Sequence, residues 1–246
     1  ATSSYIGEYS FDFGLKGNYI MQASKFEPSG SDDGLSAVDA SRIARYLIDL
    51  IDFNEYQLLA ADVDMNDQIS AVDAALVARY LIGLIDEFNE FNQHWRFSPD
   101  NDFYFNITDN INYEINLYDL RPLTTDLENQ DVLGIRIGDV DGSWISDVQA
   151  RESFEKNIVK IDIDSNELFT IPIAIDGQKA IEGIELIINY NYEDFIFNNF
   201  ELNNDLNEYN IMINDFIPGK LSLIIYAGLG IKNIDNIFFI TSVLFW

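Results

Sequence analysis

The stretch from Asp62 to Asp73, DVDMNDQISAVD, has the spacing of a twelve-position calcium loop. Calcium takes about six to eight oxygen ligands, and such a loop turns alternate side chains toward one point. The sequence therefore predicts one calcium ion here; an acidic surface turn ahead of a helix is the alternative. The predicted ligands, at positions 1, 3, 5, 7, 9 and 12, are Asp62, Asp64, Asn66, the backbone carbonyl of Gln68, Ser70 and Asp73.

The loop and the helix that follows it occur twice. LSAVDASRIARYLIDLID, from Leu35 to Asp52, is nearly repeated by ISAVDAALVARYLIGLID, from Ile69 to Asp86, at an offset of 69 − 35 = 34 residues. Apolar residues recur at helical spacing in the second copy. Two copies are too few for a solenoid, so we expect two loop–helix units packed about a local pseudo-two-fold axis. Among the residues expected to be buried are Tyr46, Leu47, Tyr80 and Leu81.

The loop of the first copy departs from this pattern. Counting back 34 residues from the second loop places Pro28 at position 1 and Gly30 at position 3, and neither has a side-chain oxygen. The side-chain ligands that remain in this loop are Asp32, Ser36 and Asp39. The sequence thus predicts a degenerate, remodelled calcium site, with an empty loop held by Ser and Asx turns as the alternative.

Two such repeats, each with Asp at loop position 12 and a helix reading D-A-x-x-x-A-R-Y-L-I, resemble a type I dockerin over about residues 28–90. The resemblance implies calcium as the cofactor and docking onto a cohesin, the β-sandwich receptor module of cellulosomes and related surface assemblies. In that family, loop positions 10 and 11 and a basic helix residue contact the cohesin. The alternative is that the Ala and Val residues fill the core and the Arg residues are solvated. The partner-binding residues implied here are Ala37, Val38, Arg45, Ala71, Val72 and Arg79.

Segments of β character flank the repeats on both sides. Residues 5–26 resemble the last hairpin of a Cna-B-type sandwich, and the segments TIPI, GIEL and PGKLSL after residue 156 resemble strands of a cohesin. The predicted fold class is α+β: a dockerin-like helical calcium module with a β extension, then an all-β immunoglobulin- or cohesin-like sandwich. The expected domains are 1–27, a terminal β-hairpin; 28–93, the dockerin-like repeats; 94–150, the β extension; and 151–246, the cohesin-like sandwich, which we expect to be incomplete.

One further acidic motif lies in the β extension. Asp139 and Asp141, in GDVDGSW, could form a separate cation-binding turn. An ordinary turn without metal is the alternative.

The net charge limits the kinds of partner. Fourteen Lys and Arg against 42 Asp and Glu give 14 − 42 = −28. Such a charge repels phosphates, so we expect neither nucleic-acid binding nor attachment to anionic membranes. No apolar run reaches the roughly 18 residues of a membrane span.

Catalytic motifs are missing from the sequence. The only histidine is His94, and no phosphate-binding glycine loop or nucleophile motif accompanies it. We therefore expect a non-catalytic, calcium-stabilised structural or docking protein, extracellular or at the cell surface. Its partner would be a cohesin-like module or copies of itself, joined by docking or strand addition into a filament, array or homopolymer. The alternative is an accessory dockerin-bearing segment of a secreted polysaccharide-degrading enzyme or cellulosome-like scaffold.

Overall fold

The described helices lie between residues 37 and 81, and strands of antiparallel sheets precede and follow them in the chain, so the fold is mixed α and β. The computed structural model describes residues 10, 16–25, 34–99, 117–123, 125, 128, 131–144, 169–175, 180–202, 208–229, 232–233 and 237–245. Its elements in chain order are β1 (Gly17–Gln22), α1 (Ala37–Tyr46), α2 (Glu55–Ala61), α3 (Ala71–Leu81), β2 (Trp95–Pro99), β3 (Leu117–Leu123), β4 (Val132–Arg136), β5 (Phe169–Ile175), β6 (Ala180–Ile181), β7 (Gly183–Asn189), β8 (Phe195–Leu202), β9 (Tyr209–Asn214), β10 (Lys220–Ala227), β11 (Lys232–Asn233) and β12 (Ile237–Phe245).

The two repeated helices, α1 and α3, begin in the same way. Ser36 caps α1 and Ser70 caps α3, each accepting a hydrogen bond from a backbone N–H of the first turn. In return, Asp39 and Asp73 accept a bond from the N–H of their own capping serine, at 2.8 Å in both helices. This reciprocal arrangement is a capping box, which satisfies N–H groups that a helix start leaves without partners. Both predicted helices are therefore present, with the same start.

Small and branched side chains bring α1 and α3 together. Ala40 and Ile43 of α1 and Val77 of α3 are fully buried in one core with the end of α2. The four residues expected to be buried lie at the margin instead. Leu47, Tyr80 and Leu81 are half-buried against this core, and Tyr46 stacks on Phe53 with ring centroids 4.5 Å apart.

Truncating Ile43 to Ala is expected to lower the free energy of unfolding by about 2–5 kcal/mol, because it leaves a cavity in a close-packed core. Ile48→Ala is the matched control. Ile48 is 43% exposed, so its loss should cost less than about 1 kcal/mol. Urea unfolding of both variants in calcium buffer measures the difference. Equal costs at the two positions would mean that α1 turns a different face to the core.

The β extension folds back onto the helices. Strands β2 and β4 pair antiparallel from Trp95–Arg136 to Pro99–Val132. Just beyond β4, the Gly138 N–H donates to Ala60 O at 2.8 Å, and Ile137 and Val140 enter the helical core. This packing places residues 139–144 beside the start of α1.

Strand β1 belongs to the segment predicted to end a Cna-B-like sandwich. It pairs antiparallel with β3, a strand of the predicted extension about a hundred residues away. Residues 1–9, 11–15 and 26–27 of that predicted segment lie outside the described residues. The resemblance to a Cna-B-type domain stays a prediction.

Two three-stranded antiparallel sheets make up most of the described C-terminal part. Their orders are β7–β10–β9 and β5–β12–β8. Phe200 of β8 packs in one apolar cluster with Leu221, Leu223 and Ile225 of β10, so the two sheets meet through their side chains. This arrangement is compatible with a sandwich, and its likeness to a cohesin stays a prediction.

Strand β10 is buried on both faces. Leu221, Leu223 and Ile225 point into the cluster between the sheets, whereas Ile224 and Tyr226 belong to the helical core. Successive side chains of a strand point to opposite faces, so β10 lies between the helices and the second sheet. The sheet β7–β10–β9 thereby covers one side of α1. Within the described ranges, no helix is long and apolar enough to cross a membrane.

Candidate metal centres

Three carboxylates converge in the predicted calcium loop. Oxygens of Asp62, Asp64 and Asp73 all lie within 4.8 Å of one another, and we call this group the loop centre. Asp62 follows the last residue of α2, and Asp73 lies in the first turn of α3. Asp62 and Asp73 are fully buried and Asp64 is half-buried. Two helix ends therefore hold the three side chains at one point.

Backbone N–H groups fix the shape of this loop. Asp73 Oδ1 accepts from the N–H of Val63 at 2.7 Å and of Asp64 at 3.3 Å. Met65 and Asp67 take left-handed backbone angles, with φ of 61° and 70°. Asp67 stands at loop position 6, where glycine is usual, and Asp is one of the few other residues that adopt this conformation readily.

The remaining predicted ligands lie in the same loop. The Asn66 amide donates to Asp64 Oδ2 at 2.8 Å, and its carbonyl oxygen accepts from the Gln68 N–H at 2.9 Å. Ser70 Oγ caps α3 through the Val72 N–H at 3.1 Å. The structure therefore gathers all six predicted residues around the loop and brings the carboxylates of three of them together.

Two buried carboxylates of the loop centre, those of Asp62 and Asp73, are costly to ionise. Burial raises the pKa of Asp62 to about 6; the neighbouring Arg96 guanidinium opposes this rise and Asp73 adds to it. Burial also raises the pKa of Asp73. A divalent cation between buried carboxylates would offset the penalty, since an opposite charge favours the ionised form.

Arg96 supports the loop centre and was missed by the sequence analysis. Its side chain is 3% exposed. It donates to Asp62 Oδ2 at 3.3 Å, to Asp62 O at 2.7 Å and to Leu59 O at 2.8 Å. The guanidinium thus ties β2 to the end of α2 and orients Asp62. In the sequence, the only indication of this role is that an arginine stands between Trp95 and Phe97 in a predicted strand.

Replacing Arg96 by Met is expected to lower the free energy of unfolding by about 3–5 kcal/mol, because the buried Asp62 carboxylate loses its ion-pair partner. Two buried carbonyl groups also lose their donors. The control is Arg79→Met, since Arg79 is exposed and should change stability by less than about 0.5 kcal/mol. Urea unfolding in calcium buffer compares the two. A cost below about 1 kcal/mol for Arg96→Met would contradict this role.

A second group of three carboxylates lies at the start of α1. Oxygens of Asp39, Asp139 and Asp141 lie within 4.8 Å of one another, and we call this group the composite centre. Asp39 is fully buried in the first turn of α1. The other two follow β4, and Asp139 is 139 − 39 = 100 residues further along the chain. Two distant segments therefore build one acidic site.

The composite centre repeats the hydrogen bonds of the loop centre. Asp39 Oδ1 accepts from the N–H of Val140 at 2.9 Å and of Asp141 at 3.1 Å, as Asp73 does from the corresponding amides of its loop. Asp139 accepts from the N–H groups of Ser143 and Trp144, both at 3.0 Å. Asp62 accepts in the same way from the fifth and sixth residues of its loop.

The sequence of residues 139–143, D-V-D-G-S, matches D-V-D-M-N at 62–66. Gly142 has φ of 71°, close to that of the corresponding Met65. Relative to Asp39, the segment therefore stands where loop positions 1 to 5 stand relative to Asp73. The first repeat has Gly34, Ser36 and Asp39 at positions 7, 9 and 12. Ser143 Oγ donates to Gly34 O at 2.8 Å and joins the two halves.

The predicted degenerate site is thus only partly visible in its original loop. Asp32 lies outside the described residues, Ser36 caps α1, and Asp39 takes part in the composite centre. Asp139 and Asp141, predicted to lie in a separate turn, belong to the same centre as Asp39. The second D-V-D was the signal that could have linked them to the first repeat.

The pKa values of two carboxyl groups in the composite centre, Asp39 and Asp139, are raised. Burial, reinforced by the charges of Asp141 and Asp139, raises the pKa of Asp39 to about 8. Burial raises the pKa of Asp139 to about 6. Carboxylate, hydroxyl and backbone carbonyl oxygens without a nitrogen or sulfur ligand are a donor set that suits calcium. The residues present therefore fit a calcium ion at both centres.

The predicted partner-binding residues fall into two different environments. In α1, Ala37 is buried, and Val38 and Arg45 are half-buried. Ala37 hydrogen-bonds Glu185 of β7, and Arg45 pairs with Glu182 just before β7. The matching residues of α3, Ala71, Val72 and Arg79, are all exposed.

Comparison with known families agrees with this geometry. Residues 31–82 match the family model of the type I dockerin domain. No curated protein matches the chain. No solved structure matches it either. A dockerin domain binds calcium and docks onto a partner protein, and both acidic centres contain residues of the matched segment.

Proposed function

We propose that the chain is a non-catalytic docking protein whose dockerin region holds two calcium ions, one in each centre. The observation that carries this proposal is the composite centre. Residues 139–143 supply to the first repeat the oxygen-bearing positions that its own loop lacks, so both repeats have a full set of ligand positions. A calcium ion would neutralise each cluster of carboxylates and fix the start of the helix that follows it.

Docking is then a property of the helix faces that the two centres hold in place. Dockerins bind cohesin partner proteins, and we propose a cohesin-like partner here. They occur in secreted proteins, which supports an extracellular or cell-surface location. The proposal of a non-catalytic role is supported by His94, the only histidine, which lies 3.2 Å from Glu87 and packs beside Phe88.

The test is calcium-dependent binding to a panel of purified type I cohesin modules. Titration calorimetry in calcium should give a complex with at least one cohesin, and chelation should abolish it. The Asp64→Asn variant, which weakens the loop centre alone, should bind less tightly. If the calcium-loaded chain binds none of the cohesins, the docking function is wrong.

An accessory role in a polysaccharide-degrading enzyme is the second candidate. The dockerin match, confined to residues 31–82, favours it, because such a domain serves to tether whatever is joined to it. The complete reading frame that contains this chain decides the matter: a hydrolase domain in it would support this candidate, and repeated sandwiches with a surface anchor would support the structural role.

A more specific version of the structural role is assembly of the chain into a filament or array. It would join copies by docking or by strand addition, with β7 and β9 at the two sides of their described three-stranded sheet. Light scattering and electron microscopy of the calcium-loaded chain test it. A monomer at high concentration would exclude the filament and leave the docking function in place.

A further inference from the structure

The chain's own sheet covers one of the two repeated helix faces. The backbone N–H of Ala37 donates to Glu185 Oε1 at 2.9 Å, and Ser41 Oγ donates to Ala227 O at 2.9 Å. Ala37 and Ser41 lie one turn apart on α1 and are almost completely buried. Both the start and the middle of this helix face are therefore in contact with β7 and β10.

Charge and shape complementarity extend the same interface. Arg42 Nε and Arg45 Nη1 each lie 3.4 Å from a carboxylate oxygen of Glu182, just before β7. Gly183 approaches α1 so closely that an added Cβ would lie 2.6 Å from the carbonyl carbon of Ala37. Only glycine fits there. The sheet thus meets α1 with two carboxylates and a close backbone contact, as a docking partner would.

The equivalent face of α3 is open. With the offset of 34 residues, Ala71 corresponds to Ala37, Val72 to Val38 and Arg79 to Arg45. All three α3 residues are exposed, and Val72 is 54% exposed. Neither the Ala71 N–H nor the Arg79 guanidinium has a hydrogen bond or ion pair with any residue that the structure describes. The sheet contacts the end of α3, where Asn214 Nδ2 donates to Ile82 O at 2.8 Å.

We propose that the sheet β7–β10–β9 acts as a built-in partner for α1, so that docking from outside is confined to the α3 face, defined by Ala71, Val72 and Arg79. This proposal rests on the proposed docking function and names the surface that performs it. Two repeats related by a pseudo-two-fold axis offer two equivalent helix faces. This chain covers one of them, on α1, with its own sheet.

The chemistry of the missing partner follows from the contacts of α1. There, one carboxylate accepts from the N–H at the helix start and another pairs with the arginine of the last turn. The α3 face keeps both donors, in the Ala71 N–H and Arg79. It replaces Ser41 by Ala75 and Arg42 by Leu76, so its middle is apolar. We infer a partner β-sheet with two carboxylates flanking an apolar patch.

A second copy of the chain does not supply that sheet from β7, β10 and β9, because its own α1 covers the same surface. The partner proposed for the α3 face is a different protein, of cohesin type, that presents an uncovered sheet. The local charge of the α3 face supports an acidic contact, although the net charge of the chain is −28. Arg79 is an exposed arginine without an ion pair in the described part, so it is available to attract a carboxylate of the partner.

The test uses matched charge reversals in the full chain, with a type I cohesin that binds the wild type as the probe. Arg79→Glu should weaken binding at least about tenfold, since it places a negative charge against the partner's carboxylates. Val72→Asp, a second exposed change on the same face, should act in the same direction. Arg45→Glu should leave the dissociation constant within about twofold while lowering the melting temperature, because Arg45 faces the chain's own sheet. Melting curves and calcium stoichiometry show that each variant folds.

The outcomes separate this inference from the docking function. If the wild type binds no cohesin, the docking function itself fails. If the wild type binds and neither Arg79→Glu nor Val72→Asp weakens the complex, the α3 face is not the docking surface and the inference is wrong. If Arg45→Glu abolishes binding in a folded protein, the partner displaces the internal sheet from α1, which also overturns it.

Discussion

The Asp139→Asn/Asp141→Asn double variant is expected to bind one calcium ion per chain where the wild type binds two. These residues supply two of the three carboxylates of the composite centre. Neutral amides keep the shape of the side chains but remove the charge on which a hard divalent cation depends. Titration calorimetry, with metal analysis after dialysis, measures the stoichiometry, and the loop centre should keep its affinity.

Two controls make this result specific. Asp64→Asn, which changes the position equivalent to Asp141, should remove or weaken the other ion and leave the composite centre loaded. Asp32→Asn tests the alternative that the first repeat uses its own loop. If Asp32→Asn removes an ion and the double variant keeps two, the composite centre does not bind calcium. If the double variant has one ion and Asp32→Asn has two, the distant segment supplies the ligands.

Chelation is expected to have the largest effect on stability. A ligand that binds only the folded state stabilises it by about 4 kcal/mol when its free concentration is about a thousand times its dissociation constant. Two such centres would contribute about 8 kcal/mol together, comparable with the whole stability of many domains. Without calcium, Asp39, Asp139 and Asp141 lie together with no ion between them, and the helix starts should loosen.

Tryptophan fluorescence during urea unfolding reports this change. The backbone N–H of Trp144 donates to Asp139 Oδ2 at 3.0 Å, and the Trp144 indole packs edge-on against Trp95, with ring centroids 4.8 Å apart. Because the composite centre holds this residue by its backbone, loosening of the centre should change the tryptophan emission. The midpoint in calcium should lie well above that in chelator, and equal ionic strength from NaCl should not restore it. Superimposable curves with and without calcium would exclude a stabilising metal at either centre.

The two repeated helices, which the sequence predicted, have local causes. Both repeated helices begin where a serine is followed three residues later by an aspartate, and the same two residues form a capping box at each start. The loop centre is local as well, since all its residues lie between Asp62 and Asp73. Spacing along the chain is sufficient to bring such residues together.

The features that were missed depend on contacts between distant segments. No residue near Asp39 in the sequence indicates that residues 139–143 complete its site. Likewise, Arg96 stands between two aromatic residues in its strand, and neither indicates its contact with Asp62. Glu182 and Gly183 meet α1 only because β7 packs on it. Helical periodicity indicates that a face of α1 is apolar. It does not distinguish a face reserved for another protein from one covered by the same chain.

Strand β10 separates two cores that need opposite faces of it. If it slid along its neighbours by one residue, Leu221, Leu223 and Ile225 would turn toward the helices, and Ile224 and Tyr226 would turn toward the second sheet. A strand with one solvated face can tolerate such an error in part, but here both interiors would be disrupted at once. A single-residue insertion or deletion within β10 should therefore abolish the helical module and the sheets together, although no metal ligand lies in that strand.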